Sequence, residues 1–266
     1  MTPEHASREA PVPVPAATIL LLRDGDAGLE VFMVERHEKI DFGGGALVFP
    51  GGKTAPEDYD STLGALVDGA ADWSDETRAV AISAIREAFE EAGVLLARDA
   101  TSGEYIGADR LAALDTYREQ LEQSQISLPV FLRREHLRLA CDQLVLFAHW
   151  ITPRGMHKRF DTRFFLARVP AGHTGQHCGR ESVASLWVRP ADAVAQDVQG
   201  KLLFPTRMNL LKLAHARSVD EALAAASARP PVTVEPWVEN TPDGKFVCIR
   251  DDAGYDATRY PFTGMP

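Results

Sequence analysis

The chain has 266 residues, 45% hydrophobic and 25% charged, with a formal net charge of −10. That length suits one large domain or two small ones, with a core that needs no disulfide framework. The acidity excludes a sequence-independent grip on a nucleic-acid polymer or an anionic membrane, and no apolar run approaches the ~20 residues of a membrane span.

Residues 1–15 carry two glutamates and several prolines but no apolar stretch, so a disordered leader is expected there rather than a signal peptide. Residues 17–23 and 29–36 are apolar and β-prone around the turn cluster Asp24–Gly28, the pattern of a hairpin. Residues 53–73 are acidic and turn-rich, with weak helical patterning near Leu63–Val67. A strong helix follows, capped by Ser74 or Asp75 and stopped at Gly93. Residues 108–123 read as a second, solvated helix and Pro129–His136 as a third. Strands are expected at 143–151, 162–168 and Trp187–Val188, then a helix from Pro190 to about Val198. A helical stretch over 206–227 is broken near Arg217–Val219. The tail returns to β, with 232–238 and 245–250 flanking a turn at Asn240–Gly244. Cys141, Cys178 and Cys248 form no CxxC pair, which suits a reducing, cytoplasmic setting.

The segment Arg86-Glu87-Ala88-Phe89-Glu90-Glu91-Ala92-Gly93-Val94 carries the most chemistry. On a helix, Glu87, Glu90 and Glu91 stand at i, i+3 and i+4 and share one face. Like charges so placed repel by about 0.2–0.5 kcal/mol per pair, and a divalent cation turns that repulsion into binding. Mg²⁺ is hard and is typically held by carboxylates and substrate phosphate. Arg86 can pair with Glu90 one turn on. Taken alone, the cluster also fits a charged, solvated helix face. The second segment is Phe49-Pro50-Gly51-Gly52-Lys53. Its glycines open backbone conformations closed to other residues and let N–H groups approach an anion. Taken alone, it is a turn.

Together the two segments resemble the Nudix box, G-x5-E-x7-R-E-U-x-E-E-x-G-U with U aliphatic. Arg86, Glu87, Glu90, Glu91, Gly93 and Val94 match its second half, with Ala88 as a minimal aliphatic residue. The first half departs. Gly52 and Arg86 are 34 positions apart where the pattern has fourteen, so residues 59–78 read as an insertion, and Glu57 and Asp58 compete for the first glutamate. Met33–Gly52, an acidic insertion ending in Trp73, Ala84–Arg98, and His149–Pro153, Lys158–Phe165 and Glu181–Pro190 downstream are similar to the branch containing the mammalian peroxisomal coenzyme A diphosphatase.

The resemblance implies an α+β Nudix fold, a mixed central sheet sandwiched between helices. It implies a domain over 16–228 with the 59–78 insertion inside the box, and a C-terminal extension at 229–266 packing on the same domain. It implies Mg²⁺ or Mn²⁺ held by Glu87, Glu90 and Glu91. The catalytic set is Glu90, Glu91, Arg86 and Glu181, the last as an alternative general base from a downstream loop. Arg36, Gly51, Gly52, Lys53 and Arg159 are the substrate contacts, with Arg163 and Arg207 as similar candidates. The implied activity is a diphosphohydrolase acting on a small nucleoside diphosphate derivative, coenzyme A or acyl-CoA first. ADP-ribose, NADH or a nucleotide sugar is the alternative substrate, and a non-catalytic nucleotide sensor the alternative class. A homodimer is left open.

Two other signals fail. Gly52-Lys53-Thr54 lacks the first glycine of a P-loop, since Leu47 stands there. His173, His177 and Cys178 lack a fourth zinc ligand and read as an ordinary loop.

Overall fold

The computed structural model describes residues 10–39, 43–197 and 200–262. In chain order the elements are β1 (Val14–Gly25), β2 (Gly28–Arg36), β3 (Leu47–Val48), β4 (Gly51–Lys53), α1 (Asp75–Ala92), β5 (Ala97–Asp99), α2 (Ala108–Ala113), α3 (Thr116–Glu122), α4 (Leu128–Arg134) and β6 (Leu137–Leu139). There follow β7 (Val145–Ile151), β8 (Phe160–Arg168), β9 (Ser182–Val188), α5 (Pro190–Ala195), α6 (Phe204–Leu213), α7 (Val219–Ala228), β10 (Thr233–Val234), β11 (Trp237–Thr241), β12 (Gly244–Cys248) and β13 (Arg259–Pro261). Short 3-10 turns at Pro56–Tyr59 and Ser61–Leu66 join β4 to the box helix.

The main sheet runs β10-β7-β8-β1-β2-β3, with β4 also on β1 and β9 also on β2. It is mixed. β1 lies parallel to β8 and β10 parallel to β7, while β1–β2, β7–β8 and β2–β9 are antiparallel. Side chains alternate across a strand. Ile19, Leu21, Phe32 and Val34 therefore meet the core that includes α1, while Leu20, Leu22, Val31 and Met33 meet the core of α6 and α7. This is the expected α+β architecture, helices on both faces of a mixed sheet.

The box helix begins and ends where its residues dictate. The Ser74 hydroxyl accepts the Thr77 N–H, and Gly93 adopts φ 62°, where its N–H reaches Phe89 O and the Val94 N–H reaches Ala88 O. The break expected near Arg217–Val219 separates α6 from α7, and β11 and β12 form the tail hairpin, closed at Thr241 and Gly244.

Several expectations change. β1 starts at Val14, whose N–H bonds Arg159 O, so Val14 and Pro15 are strand rather than leader; residues 1–9 lie outside the described residues. The helix expected over 108–123 divides, because the Leu114 and Asp115 amides bond the Leu111 and Ala112 carbonyls in a tight turn that buries Leu114. The end of the 59–78 insertion, Asp75–Arg78, is already the first turn of α1. Its middle packs Leu63, Val67 and Ala70 into the core, while Asp68 pairs with Arg98 and Arg138. Among the described residues no helix is long and apolar enough to cross a membrane.

Candidate active site

Every residue of α1 from Ala79 to Ala92 is buried, including the three glutamates that its spacing places together. Glu87, Glu90 and Glu91 are only 9%, 7% and 7% exposed, so the solvated-face reading is excluded. Buried carboxylates require partners. Arg86 supplies most of them. Its Nη1 donates to Glu87 Oε1 (2.9 Å) and Glu90 Oε2 (3.1 Å). Its Nε and Nη2 grip both oxygens of Asp58 at 3.0 Å, and Nη2 also reaches Lys53 O (3.1 Å) and Ser83 Oγ (3.2 Å).

The glycine pair fits against this cluster from β4, which pairs with Ala16–Thr18 of β1. The Gly51 N–H donates to Glu91 Oε2 at 3.0 Å. The anion that the glycine backbone meets is thus the chain's own carboxylate. Neither glycine has a positive φ among the described backbone, so both are needed for space rather than for a left-handed conformation. A Cβ on Gly51 would stand 2.4 Å from Ala17 O, and one on Gly52 would stand 2.5 Å from Glu87 Oε1.

Burial pushes the Glu90 carboxyl up to about 8, against the opposing pull of Arg86 and with Glu87 adding negative charge. Burial likewise raises Glu87, and it raises Glu91 well above its ordinary value, helped by the charge of Glu87 and opposed by the Gly51 N–H. Two more residues join the cluster electrostatically. The negative charge of Glu181 acts on both Glu87 and Glu91, and the positive charge of Arg36 acts on Glu91. The fold explains the convergence, because Arg36 ends β2 opposite Ser182 of β9, one residue after Glu181, and the His37 N–H holds Glu181 O at 2.8 Å.

Glu90 Oε1 is buried with no hydrogen-bond partner. An unsatisfied buried polar atom costs about 1–3 kcal/mol, and more when charged. A hard divalent cation is the group such oxygen donors suit. Among the described residues no three acidic, His or Cys side chains already stand as a cage for an ion. Arg86 and the Gly51 amide hold the carboxylates instead.

Residues 68–208, just over half of the chain, match the family described as the NUDT19 Nudix domain. The chain belongs to this Nudix family. It is 27% identical over 210 residues to putative nudix hydrolase 7 of Caenorhabditis elegans, covering 77% of this chain and 63% of that protein. It is 29% identical over 197 residues to the human acyl-coenzyme A diphosphatase NUDT19, covering 68% of this chain and 52% of that protein. The chain therefore spans between half and two thirds of the length of these curated relatives. A Nudix hydrolase structure from Alicyclobacillus acidocaldarius aligns with TM-score 0.65 and 28% identity, over 82% of this chain and 99% of the other.

Within this Nudix box, Asp58 rather than Glu57 faces Arg86. It is 2% exposed, and its Oδ2 also accepts the Ala55 N–H at 2.7 Å. The Lys53 side chain is exposed near the Phe160 ring, its ammonium 5.9 Å from the centroid, while its carbonyl helps to hold Arg86.

Arg159, expected as a substrate contact, is engaged by the chain itself. It is 7% exposed and its guanidinium donates to Thr152 O, Pro11 O and Glu235 Oε1, which ties the segment before β1 and the residue after β10 to the start of β8. Arg163 is drawn to Glu76 and Arg207 to Asp197, so both are engaged in ion pairs. Sequence reasoning missed Arg118, whose guanidinium reaches the last turn of the box helix at Glu90 O. The available signal was its position at i+4 from Leu114 and i−3 from Leu121, on the buried side of a helix taken to be solvated.

Proposed function

We propose that the chain is a divalent-metal-dependent diphosphohydrolase that cleaves the pyrophosphate of a nucleoside diphosphate linked to another group, with coenzyme A or an acyl-CoA as substrate. The observation that carries the reading is the buried cluster of Glu87, Glu90 and Glu91, with one Glu90 oxygen unpartnered and a glycine strand packed against it. The human relative's designation as an acyl-coenzyme A diphosphatase supports the choice of substrate.

Glu87, Glu90 and Glu91 would hold Mg²⁺ or Mn²⁺. Such an ion neutralises phosphate oxygens and lowers the pKa of a bound water. The remaining work falls to the chain. Arg86 fixes the rotamers of Glu87 and Glu90 and balances their charge in the absence of other cations. The Gly51 amide orients Glu91. Glu181, an exposed residue on a separate loop whose charge acts on Glu87 and Glu91, would serve as the alternative general base toward the attacking water. Arg36, at the end of β2, supplies positive charge toward the same point and suits a substrate phosphate. The products from coenzyme A are 3′,5′-ADP and 4′-phosphopantetheine.

The test is a hydrolysis screen of coenzyme A, acetyl-CoA, ADP-ribose and NADH with Mg²⁺ or Mn²⁺, with products identified by mass spectrometry. Release of 3′,5′-ADP from coenzyme A is expected. Cleavage of ADP-ribose with coenzyme A untouched overturns the substrate. Cleavage of none of them, with binding retained, moves the chain to the non-catalytic nucleotide sensors.

A further inference from the structure

We propose that Arg118 is a positioning residue that locks the loop carrying Glu181 onto the C-terminal turn of the Nudix helix. The inference rests on the reading of Glu181 as a catalytic group and goes beyond it in naming what holds that group in place.

A helix leaves its last four carbonyls without intrahelical partners. In α1 they belong to Phe89, Glu90, Glu91 and Ala92. Phe89 O is satisfied locally by the Gly93 N–H. Two others are satisfied from outside, and both by the same assembly. Arg118 donates from Nε and Nη2 to Glu90 O at 3.3 and 3.2 Å, and Ala92 O accepts the Gln176 N–H at 2.8 Å. The Arg118 Nη2 also donates to Gln176 O at 2.9 Å. Gln176 is thus held at both backbone polar atoms, one by the helix itself and one by the arginine that caps it.

From Gln176 the chain arches over to β9. The His177 N–H reaches Ser185 Oγ (3.3 Å), the Cys178 N–H reaches Ser182 Oγ (3.4 Å), and Glu181 O accepts the His37 N–H (2.8 Å). Arg180, next to Glu181, is also paired with Glu122 of α3, and the arch has two backbone footings besides that ion pair. One is β9 and the end of β2. The other is Arg118 with the helix terminus. Glu181 lies between them, and its charge acts on Glu87 and Glu91.

Arg118 is built for this place. It is 8% exposed and its Nη1 donates to Asp115 at 3.1 Å, a contact within its own helix turn that does not involve the loop. Its positive charge sits at a helix C-terminus, where the dipole favours it. Gly93 makes room, because a Cβ there would stand 3.0 Å from Arg118 Nη1. A planar guanidinium can serve two carbonyls and a carboxylate at once, which a lysine ammonium on a flexible stem cannot reproduce.

The test uses the full chain and the variants Arg118→Lys, Arg118→Met, Glu181→Gln and the Arg118→Met/Glu181→Gln double variant. Wild-type hydrolysis of coenzyme A and ADP-ribose with Mg²⁺ is measured first, since its absence refutes the activity and leaves the positioning role to be judged by hydrogen exchange. Given activity, Arg118→Met is expected to lower kcat about 10–100-fold with KM little changed, and Arg118→Lys to recover part of it. The double variant is expected to be no slower than Glu181→Gln alone, because the arginine acts through the glutamate. Multiplied losses, or an Arg118→Met variant at the wild-type rate, overturn the proposal. If Arg118→Met does not fold, Arg118→Lys carries the test. Its amide hydrogen exchange is expected to rise across 174–181 and the last turn of α1 while the β1–β8 core stays protected. Unchanged exchange in that loop overturns the proposal whether or not the chain is an active hydrolase.

Discussion

Gly52→Ala is expected to separate rate from stability at this site. The added methyl would lie 2.5 Å from Glu87 Oε1 and 2.6 Å from its Cδ. Ordinary contact begins at 3.4 Å, so the carboxylate must retreat by about 0.9 Å. It cannot swing away freely, because Arg86 Nη1 holds it at 2.9 Å and the side chain is buried. Overpacking of this kind costs about 1–2 kcal/mol. Displacing a reacting group by about 1 Å costs roughly 100-fold in rate. The expected result is therefore a folded variant, with its melting temperature lowered by a few degrees, whose metal-dependent turnover falls about 100-fold. Gly64→Ala is the control, since a Cβ there meets nothing within 4 Å, and it should stay within about 0.5 kcal/mol of the parent. The assays are initial-rate hydrolysis and thermal unfolding of both variants. A Gly52→Ala protein turning over at the parental rate would refute the claim that Glu87 is needed where it stands.

Further outcomes follow from the same network. Asp58→Asn should lose about 3–5 kcal/mol in urea unfolding, because it breaks a buried two-point pair with Arg86, whereas Glu57→Gln should be nearly neutral. Equal effects would return the choice between them to doubt. Arg159→Ala should lose about 1–3 kcal/mol with kcat/KM unchanged, and a raised KM would restore it to the substrate site. The raised carboxyls also set a pH dependence. Glu90 titrates near 8 in the fold against 4.5 unfolded, so the folded state binds more protons between these values. The stabilisation from its protonation is present below 4.5 and is lost as pH rises through 8. Metal-free protein should accordingly show this loss in thermal melts between those limits, and Mg²⁺ or Mn²⁺ should raise the melting temperature more at the upper one. A metal shift that is larger in acid would contradict that reading.

The long elements were legible because their signals are local. The hairpin of β1 and β2, the Ser74 cap, the Gly93 stop and the interruption between α6 and α7 all follow from residues that act within a turn of themselves. The three carboxylates were legible for the same reason, since helix period alone puts them on one face. What failed to show depends on distant partners or on very short elements. Strands β4 and β5 span three residues each, too few for an alternating pattern. Glu57 and Asp58 differ by one position, and only the 3-10 turn at Pro56–Tyr59 decides which of them points at Arg86. Arg159 looked like a phosphate contact by residue type, but its partners include Pro11 O, 148 positions away, which leaves no trace in the neighbouring sequence. Arg118 was hidden by an apparently continuous solvated helix that the fold divides and turns inward.

The most direct test of the central claim is turnover of coenzyme A by the wild type and by Glu90→Gln, with and without Mg²⁺, followed by mass spectrometry of the products. The account predicts Mg²⁺-dependent appearance of 3′,5′-ADP and 4′-phosphopantetheine from the wild type, and a loss of orders of magnitude in a Glu90→Gln variant that still melts cooperatively. Equal turnover by the two proteins, or turnover indifferent to the metal, would contradict it.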